Sequence, residues 1–313
     1  MLKFVTFAVK TQLNVHDLNN ETVAGNVSDI RVMEFIDENG ERKESPAVSG
    51  RMLKHWHYEA MKHSIINGTY TKVPLCDGCK AGEPIRPGLI NENKLSQNSK
   101  ISEENSVKNC VVCDIHGYLI AKPKATEGEG GISSRRTSRA MFSWLMPILG
   151  QESVSKQVIH NKVSYDPSEM MIFNKSYASG IYAFVSALDV DRIGLVELNL
   201  SSNNPYAIND NDGRKDRIKV AIEAYRYMIS GQIGASLSHA IPHCNPIEIL
   251  VAYSESGPLP FPVSPMYSDY IIKTIGLMPP NTTLLYWGKE SYKGPTKKDS
   301  INDIFNELLN KLN

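Results

Sequence analysis

Four of the five cysteines in the sequence form two C-x-x-C pairs. Cys76 and Cys79 lie in PLCDGCK, and Cys110 and Cys113 lie in NCVVCDIHG. A two-residue spacer lets one tight turn aim two thiolates at the same ion, and two such pairs supply the ligands of a tetrahedral structural zinc site. The sequence therefore predicts a structural Zn²⁺ held by these cysteines. The alternative is a group of unpaired or redox-active thiols.

A closed set of four thiolates leaves no coordination position for water, so the predicted site argues against catalysis by the metal. The ion would stabilise a polar insertion, residues 70–119, that is too small to fold by itself. His116 is a weaker alternative ligand. Cys244 has no neighbouring cysteine and is predicted to be a small buried side chain.

A second set of residues has the chemistry to hold phosphate. Residues 49–66 carry apolar side chains at helical spacing, and a serine stands at the predicted N-cap. A helix N-terminus offers unpaired N–H groups and a positive dipole end, and cations in its first turns add to both. The candidate ligands are Ser49, Gly50, Arg51, Lys54 and His55. The alternative is a solvated basic helix face.

Further cations could bind a polyanion elsewhere. Arg135, Arg136 and Arg139 follow a glycine-rich stretch, residues 122–134, and Lys175 stands among aromatic residues in MIFNKSYASG. Planar guanidinium groups suit phosphate, and aromatic rings suit bases of single-stranded RNA. The alternatives are simple solubility and an ordinary edge strand. Since the formal net charge is zero, nucleic-acid binding requires the positive charge to be concentrated locally.

The sequence contains no G-x-S-x-G, P-loop, H-E-x-x-H or G-x-G-x-x-G motif, so it predicts no enzyme active site. Asp29 is the one carboxylate retained as a possible acid or metal ligand, against the alternative of an Asx-turn residue. No signal peptide is apparent, and no stretch approaches the ~20 apolar residues of a membrane helix. The expected location is the cytoplasm.

The order of predicted elements indicates an α+β fold. The main elements are a strand at 2–10, helices at 49–66 and 137–149, strands at 179–190 and 192–200, a helix at 214–230 and a strand at 246–253. Without the insertions this is the βαββαβ order of ferredoxin-like and RNA-recognition folds. A helix, a short strand and a helix at 300–312 are expected in the C-terminal extension.

Several segments together resemble a known family. They are ESPAVSGRMLKHW (44–56), RRTSRAMFSW (135–144), MIFNKSYASGIYAF (171–184) and GQIGASLSHAIP (231–242), with HDLNNE and GNVSDIR near the N-terminus. With these segments the chain resembles the DevR-type backbone subunits of type I CRISPR (Cascade) complexes, within the repeat-associated RNA-binding protein superfamily. The resemblance implies a modified RNA-recognition core with a protruding thumb, copies of which stack along guide RNA.

The resemblance also implies roles for individual residues. Ser49, Arg51 and Lys54 match the segment that grips the RNA backbone, and the loop around Asn26 and Arg31 matches one that contacts guide RNA. The remaining implied RNA contacts are Lys175, in a thumb at about 150–180, the Arg135–Arg139 cluster, and the turn from Gly231 to Gly234. The expected domains are an RNA-recognition core (1–69 and 120–255), the Cys₄ insertion (70–119) and a C-terminal extension packed on the core (256–313).

The partners implied are crRNA, a target DNA strand reached through the guide duplex, neighbouring copies of the chain, and the cap, small and nuclease-helicase subunits of Cascade. The expected protein is a non-catalytic scaffold for antiviral defence. One alternative is a metal-dependent ribonuclease that uses Asp29, as in related type III backbone subunits. The other is a zinc-containing DNA-binding regulator, although no groove-reading helix is evident.

Overall fold

The computed structural model describes residues 1–18, 20–24, 27–70, 72–82, 99–122, 132–162, 171–210, 213–231 and 241–312. Its helices are α1 (Gly50–Ile66), α2 (Asp77–Ala81), α3 (Ser99–Asn109), α4 (Val111–His116), α5 (Arg214–Ile229), α6 (Tyr270–Leu277) and α7 (Ile301–Asn310). None of the helices in these ranges is both long enough and apolar enough to cross a membrane.

The strands fall into one large sheet and two separate hairpins. They are β1 (Phe4–His16), β2 (Asn20–Ala24), β3 (Val27–Ile30), β4 (Val32–Ile36), β5 (Arg42–Pro46), β6 (Tyr118–Lys122), β7 (Ile132–Arg136), β8 (Ala140–Phe142), β9 (Met146–Pro147), β10 (Val154–Lys162), β11 (Met171–Asp189), β12 (His243–Ser254), β13 (Thr283–Trp287) and β14 (Thr296–Lys297).

Strand β1 lies in the middle of the large sheet and is antiparallel to both β11 and β12. Strands β8 and β9 pair with the other edge of β11. With α1 between β1 and β8, and α5 between β11 and β12, this is the interleaved βαββαβ core. The predicted α+β class with a ferredoxin-like core is confirmed.

Both faces of β1 are apolar because the sheet is covered on both sides. Val5, Phe7 and Val9 belong to the main core, which includes residues of α1, α5 and α7. Ala8, on the opposite face, packs in a second cluster with Tyr270 of α6. The alternation follows from the two-residue period of a strand. The C-terminal segment thus completes the second face of the sheet.

Two of the predicted elements are wrong. The segment predicted as a helix at 137–149 contains β8 and β9, which occupy the place of the second core strand. Its amides bond to distant parts of the chain: Ser143 N–H donates to Val185 O of β11 at 2.8 Å, and Leu145 N–H donates to Val48 O, just before α1, at 2.8 Å. Pairing with distant strands therefore outweighs the local helical spacing, and Pro147 disfavours a helix as well.

The segment predicted as a strand at 192–200 is a series of turns with a short 3₁₀ helix, Glu197–Asn199. Several of its amides bond to buried carboxylates. Gly194 N–H donates to Asp114 Oδ2 at 3.0 Å, and the amide of Leu198 donates to Glu103 Oε2 at 3.1 Å. Sequence patterns of apolar residues cannot reveal such acceptors.

Buried charges attach the cysteine-containing segment to the core. The Arg136 guanidinium pairs with Glu103 of α3 at 2.8 Å and with Asp114 of α4, and all these side chains are fully buried. Arg217 of α5 pairs with Asp114 at 3.1 Å. The two arginines and the backbone amide of Gly194 surround the Asp114 carboxylate, which compensates for its loss of hydration.

We predict that Asp114→Ala lowers the free energy of unfolding by about 3–5 kcal/mol, because it leaves two buried guanidinium groups without a shared counter-ion. Urea unfolding monitored by circular dichroism measures the change. The matched control is Glu104→Ala, which removes the solvent-exposed ion pair with Lys108 and should change stability by less than ~1 kcal/mol. Equal effects of the two substitutions would contradict a structural role for the buried pairs.

Candidate nucleic-acid interface

The N-terminus of α1 has the predicted cap. Ser49 is extended, with φ −66° and ψ 147°, and its hydroxyl accepts a hydrogen bond from the amide of Met52 at 3.3 Å. The first turn contains no acidic side chain. The positive end of the helix dipole is therefore not neutralised from within the turn, which favours an anionic ligand at this end.

A cleft of about 590 Å³ opens at this helix end. It is lined by Arg31, Ser49, Gly50, Arg51, Lys54, Ser138, Ala140, Met141, Phe142 and Trp144. The structure therefore brings together five residues that the sequence analysis selected from two separate segments. Their role in RNA binding stays a prediction.

A second cleft of about 520 Å³ adjoins the first and shares Arg51, Lys54 and Ser138 with it. The predicted residue His55 lines this second cleft. Among the described residues, neither lining contains a carboxylate. The two clefts together, called the basic cleft below, concentrate positive charge on a chain whose formal net charge is zero.

The sequence analysis missed the aromatic wall of the basic cleft. Phe142 and Trp144 line it, and the Arg31 guanidinium lies over the Trp144 ring at 5.9 Å from its centroid. Aromatic faces beside cations suit stacking of nucleic-acid bases. The residues stand in RRTSRAMFSW, but the wrong prediction of a helix in this segment hid their place on a sheet edge.

Two of the predicted RNA contacts have their charged groups inside the protein. Arg136 and Arg139 have fully buried side chains, and each pairs with a carboxylate inside the protein. The Nη1 atom of Arg139 lies 2.8 Å from Glu197 Oε1, and burial lowers the pKa of Arg139. Their charge is compensated internally, although Arg136 still contributes to the lining of the second cleft. Their role in RNA binding stays a prediction, and the burial of both guanidinium groups speaks against it. Arg135 is exposed and stays a candidate.

The segment predicted as a thumb contains an antiparallel hairpin of β10 and the first part of β11. Lys175 lies in this hairpin, half-buried, with its ammonium 3.0 Å from Asp17 Oδ2. The Asp17 carboxylate thus already neutralises the Lys175 ammonium, and RNA contact by Lys175 stays a prediction. The residues 163–170 between the strands lie outside the described part, as do Asn26, Gly234 and the stretch 123–131.

Asp29 is exposed on β3, where its side chain accepts a hydrogen bond from the Ser176 hydroxyl at 2.8 Å. It is a strand residue, so the alternative of an Asx turn is wrong. Among the described residues, the four cysteines are the one group of three or more side chains placed to share a metal ion. Asp29 is not part of such a group there.

The four predicted ligand cysteines converge. Their sulfur atoms lie within 4.8 Å of one another, and all four side chains are buried. The Sγ atoms of Cys76 and Cys113 are 3.9 Å apart. A tetrahedral ion with Zn–S bonds of about 2.3 Å needs sulfur atoms about 3.8 Å apart, so the separation of Cys76 and Cys113 fits such an ion.

Local structure explains how each pair is aimed. Cys76 and Cys110 are the N-cap residues of the short helices α2 and α4, and the Sγ of Cys110 accepts from the Cys113 amide at 3.4 Å. Hydrogen bonding to Cys110 and burial raise the pKa of both Cys79 and Cys113. A bound cation would reverse this effect by favouring the thiolates.

Cys244 is half-buried, 3.4 Å from the Thr11 hydroxyl, in line with its expected packing role.

Comparison with known families gives a match over most of the chain. The family model described as "CRISPR-associated negative auto-regulator DevR/Csa2" matches residues 7–275. The matched range includes the core strands, the cysteine cluster and the basic cleft.

Curated proteins show the same relationship. A "CRISPR-associated protein Cas7/Cst2/DevR" from Methanocaldococcus jannaschii is 29% identical and aligns over 86% of each chain. One of the same description from Thermoproteus tenax is 27% identical, covering 93% of this chain and 91% of its own. A "CRISPR-associated aCascade subunit Cas7/Csa2 2" from Saccharolobus solfataricus is 23% identical and covers 86% and 84%.

Solved structures share the fold. A chain of a "CRISPR RNA-guided surveillance complex" superposes with a TM-score of 0.54 over 98% of this chain and 99% of that chain, at 12% identity. A chain of a "CRISPR RNA-guided surveillance complex, pre-nicking" gives a TM-score of 0.55 over 99% and 100%, at 11% identity. At this identity the similarity concerns the fold alone.

The close approach of Gly50 to β8 generates a stability prediction. A Cβ atom on Gly50 would lie 2.7 Å from Phe142 O and 2.8 Å from Ser143 O, both backbone atoms. We therefore expect Gly50→Ala to lower the free energy of unfolding by about 1–3 kcal/mol, although alanine is the better helix former. Thermal and urea unfolding measure the effect.

The control for this prediction is Gly276→Ala, also within a helix, where a Cβ atom would meet no atom within 4 Å. That substitution should raise the stability by about 0.5–1 kcal/mol. Stabilisation by both substitutions would show that β8 can move away from the helix end.

Proposed function

The chain belongs to the DevR/Csa2 family of CRISPR-associated proteins, and we propose that it is the backbone subunit that coats guide RNA in a type I surveillance complex. The observation that carries the proposal is the basic cleft. Arg31, Arg51 and Lys54 meet there with two aromatic rings and a helix N-terminus whose first turn has no acidic side chain. None of the described lining residues is acidic.

The geometry favours recognition of RNA by its backbone and base faces rather than by its sequence. Phosphate oxygens would accept from the first amides of α1 and from Arg51 and Lys54, while Trp144 would stack against a base beside Arg31. Contacts of this kind are tolerant of sequence, as a subunit that coats different guides requires. Arg135 and His55 extend the same surface.

The hairpin of β10 and β11 is proposed as the thumb that reaches a neighbouring copy on the guide. Ile159 and Ile172 are 70% and 52% exposed on it, and partner contact would bury them. The other proposed partners are the target DNA strand, reached through the guide duplex, and the cap, small and nuclease-helicase subunits. The proposal assigns no cleavage chemistry to this chain, since Asp29 has no metal-ligand group around it among the described residues.

We assign the four-cysteine cluster to one structural Zn²⁺. Burial of all four cysteines, their convergence within 4.8 Å, and a Cys76–Cys113 separation close to that in a tetrahedral site support this ligand set. When bound, the ion would neutralise the thiolates and join the C-x-x-C turns at α2 and α4. With no coordination position open to water, its role would be to hold the insertion folded.

Metal analysis tests the zinc assignment. We expect about one zinc per chain in the purified protein, and loss of the metal with a lower melting temperature in Cys113→Ser, because three thiolates bind the ion more weakly than four. Cys244→Ser serves as the control, because it removes a thiol outside the cluster and should retain zinc. Metal content that is unchanged in Cys113→Ser would contradict the assignment.

RNA binding tests the proposed function. We expect the double variant Arg51→Ala/Lys54→Ala to bind single-stranded RNA at least about tenfold more weakly, since charge-assisted hydrogen bonds contribute roughly 1.5–3 kcal/mol each. Its affinity should also depend less on salt, with the slope reduced by about 0.7 per lost phosphate contact. Fluorescence anisotropy with labelled RNA over a salt series measures both.

The charge-matched control is Lys289→Ala/Lys293→Ala, which removes two exposed cations from the C-terminal extension. Affinity that is equal in the two double variants at low salt would exclude the basic cleft as the RNA site. A preference of the unmodified protein for duplex DNA over RNA would support the DNA-binding regulator instead.

A further inference from the structure

The helix that carries the RNA-binding cations is bonded directly to the cysteine cluster segment. Lys54 Nζ donates to the backbone oxygen of His116 at 2.7 Å, and His57 Nδ1 lies 2.8 Å from His116 Nε2. One residue further along α1, the Tyr58 hydroxyl donates to the backbone oxygen of Cys79 at 2.5 Å. These three hydrogen bonds are called the α1–cysteine contacts below.

The acceptors in these contacts are positioned by the two cysteine turns. Cys79 is itself one of the four cysteines, so its carbonyl moves with a proposed ligand. His116 is the last residue of α4, a helix of six residues that begins after its N-cap Cys110 and includes Cys113. A helix this short has few internal hydrogen bonds and depends on what holds its ends.

Hydrogen-bond geometry gives the histidine pair a defined direction. His57 Nε2 lies 3.0 Å from the Ala221 carbonyl, which can only accept, so the proton of His57 is on Nε2. Its Nδ1 is then the acceptor for the Nε2–H of His116. Burial lowers the pKa of His57 to about 3, so the ring stays neutral near pH 7. The end of α4 therefore donates a hydrogen bond to α1 through His116 and His57.

The connection after α4 is tightly confined. Gly117 has φ +67°, and a Cβ atom there would lie 2.2 Å from the backbone oxygen of Arg136. The Asp114 side chain is also anchored to Arg136 and Arg217 independently of any metal. Loss of the metal should therefore loosen α4 and its carbonyl end rather than release the whole segment.

Lys54 and His116 both line the second part of the basic cleft. A displacement of the His116 carbonyl changes where the Lys54 ammonium is held, and it changes the wall of the cleft at the same time. The end of α4 is thus in direct contact with the surface to which we assign RNA.

We propose that metal binding by the cysteine cluster and RNA binding in the basic cleft are energetically coupled through the α1–cysteine contacts. This inference rests on the proposed function and on the zinc assignment. Coupling between two sites is reciprocal, so zinc tightens RNA binding by the same factor by which RNA tightens zinc binding. Because Asp114 keeps α4 attached, we expect a factor near the lower end of the usual range, about 5- to 20-fold.

The experiment measures both affinities with the full chain, freed of RNA by high salt. RNA binding by zinc-loaded and zinc-free protein is measured by anisotropy with a single-stranded RNA of about 12 nucleotides, within the site sizes of such grooves. Zinc affinity is measured by competition with a chromogenic chelator, with and without saturating RNA. Equal and reciprocal shifts of about fivefold or more support the coupling.

Variants test whether the coupling uses the α1–cysteine contacts. Tyr58→Phe removes one of the three hydrogen bonds and should reduce the coupling factor by about half or more, while zinc still binds. Tyr253→Phe is matched to it, since it removes a buried hydroxyl whose partner is Glu307, on α7. The coupling factor should be unchanged in this control.

His57→Phe removes the second contact, and His57→Asn restores an acceptor near the position of Nδ1. We expect the phenylalanine variant to lose coupling and the asparagine variant to regain part of it. A merely structural role for His57 would lower stability in both variants without separating their coupling factors. Tyr58→Phe keeps the test valid even when the substitutions at His57 prevent folding.

The possible failures are distinguishable. Protein that binds RNA but holds no zinc overturns the metal assignment and with it the coupling. Zinc-loaded protein that does not bind RNA overturns the proposed function. If both ligands bind, but each affinity changes less than twofold when the other ligand is present, the two sites are independent and the inference alone is wrong.

Discussion

The buried carboxylate of Asp114 is the interaction on which the arrangement of the molecule depends. A carboxylate without water is stable only when several donors surround it, and here the donors come from three parts of the chain: Arg136 of β7, Arg217 of α5 and the amide of Gly194. Since α4 carries Asp114, satisfying this one group fixes the insertion, the β6–β7 hairpin, a core helix and a core turn relative to one another.

The same network explains how a chain with no formal net charge presents a basic surface. Many of its charges are used inside: Glu103 and Asp114 are buried with their arginine partners, and Glu197 compensates Arg139. Around the N-terminus of α1, the described residues that line the clefts include Arg31, Arg51 and Lys54 and no carboxylate. The net charge therefore says little about function, because the distribution between interior and surface decides what a ligand meets.

The parts that were predictable from sequence are those that depend on neighbours along the chain. The cap at Ser49, the helices α1 and α5 and the two C-x-x-C turns follow from short-range spacing, and the structure has them close to the expected positions. The predicted helix α1 also provides the residues from Ser49 to His55 that line the basic cleft.

The errors share one physical cause, which is dependence on distant residues. Arg136 looked like a surface cation because its partners, Glu103 and Asp114, precede it by more than twenty residues. The second core strand was assigned as a helix because its pairing partner, β11, lies far along the chain. Trp144 was missed with it. Resemblance to a family supplied the role of Ser49 and Arg51, but it also selected Arg136 and Arg139, whose guanidinium groups are buried in ion pairs inside the protein.

Strand β11 runs without interruption from the hairpin into the core, so its length sets how far the hairpin extends from the core. Its 19 residues span roughly 60 Å as one strand, paired with β1 over its second half and with β10 over its first. The core and the hairpin thus share one strand, although the β1–β11 register shifts between Leu13 and His16, near the point where the pairing passes from β1 to β10. If the hairpin reaches a neighbouring copy as proposed, the number of residues in this strand would set the distance between successive copies. The strength of the contacts between copies would then have little influence on that distance.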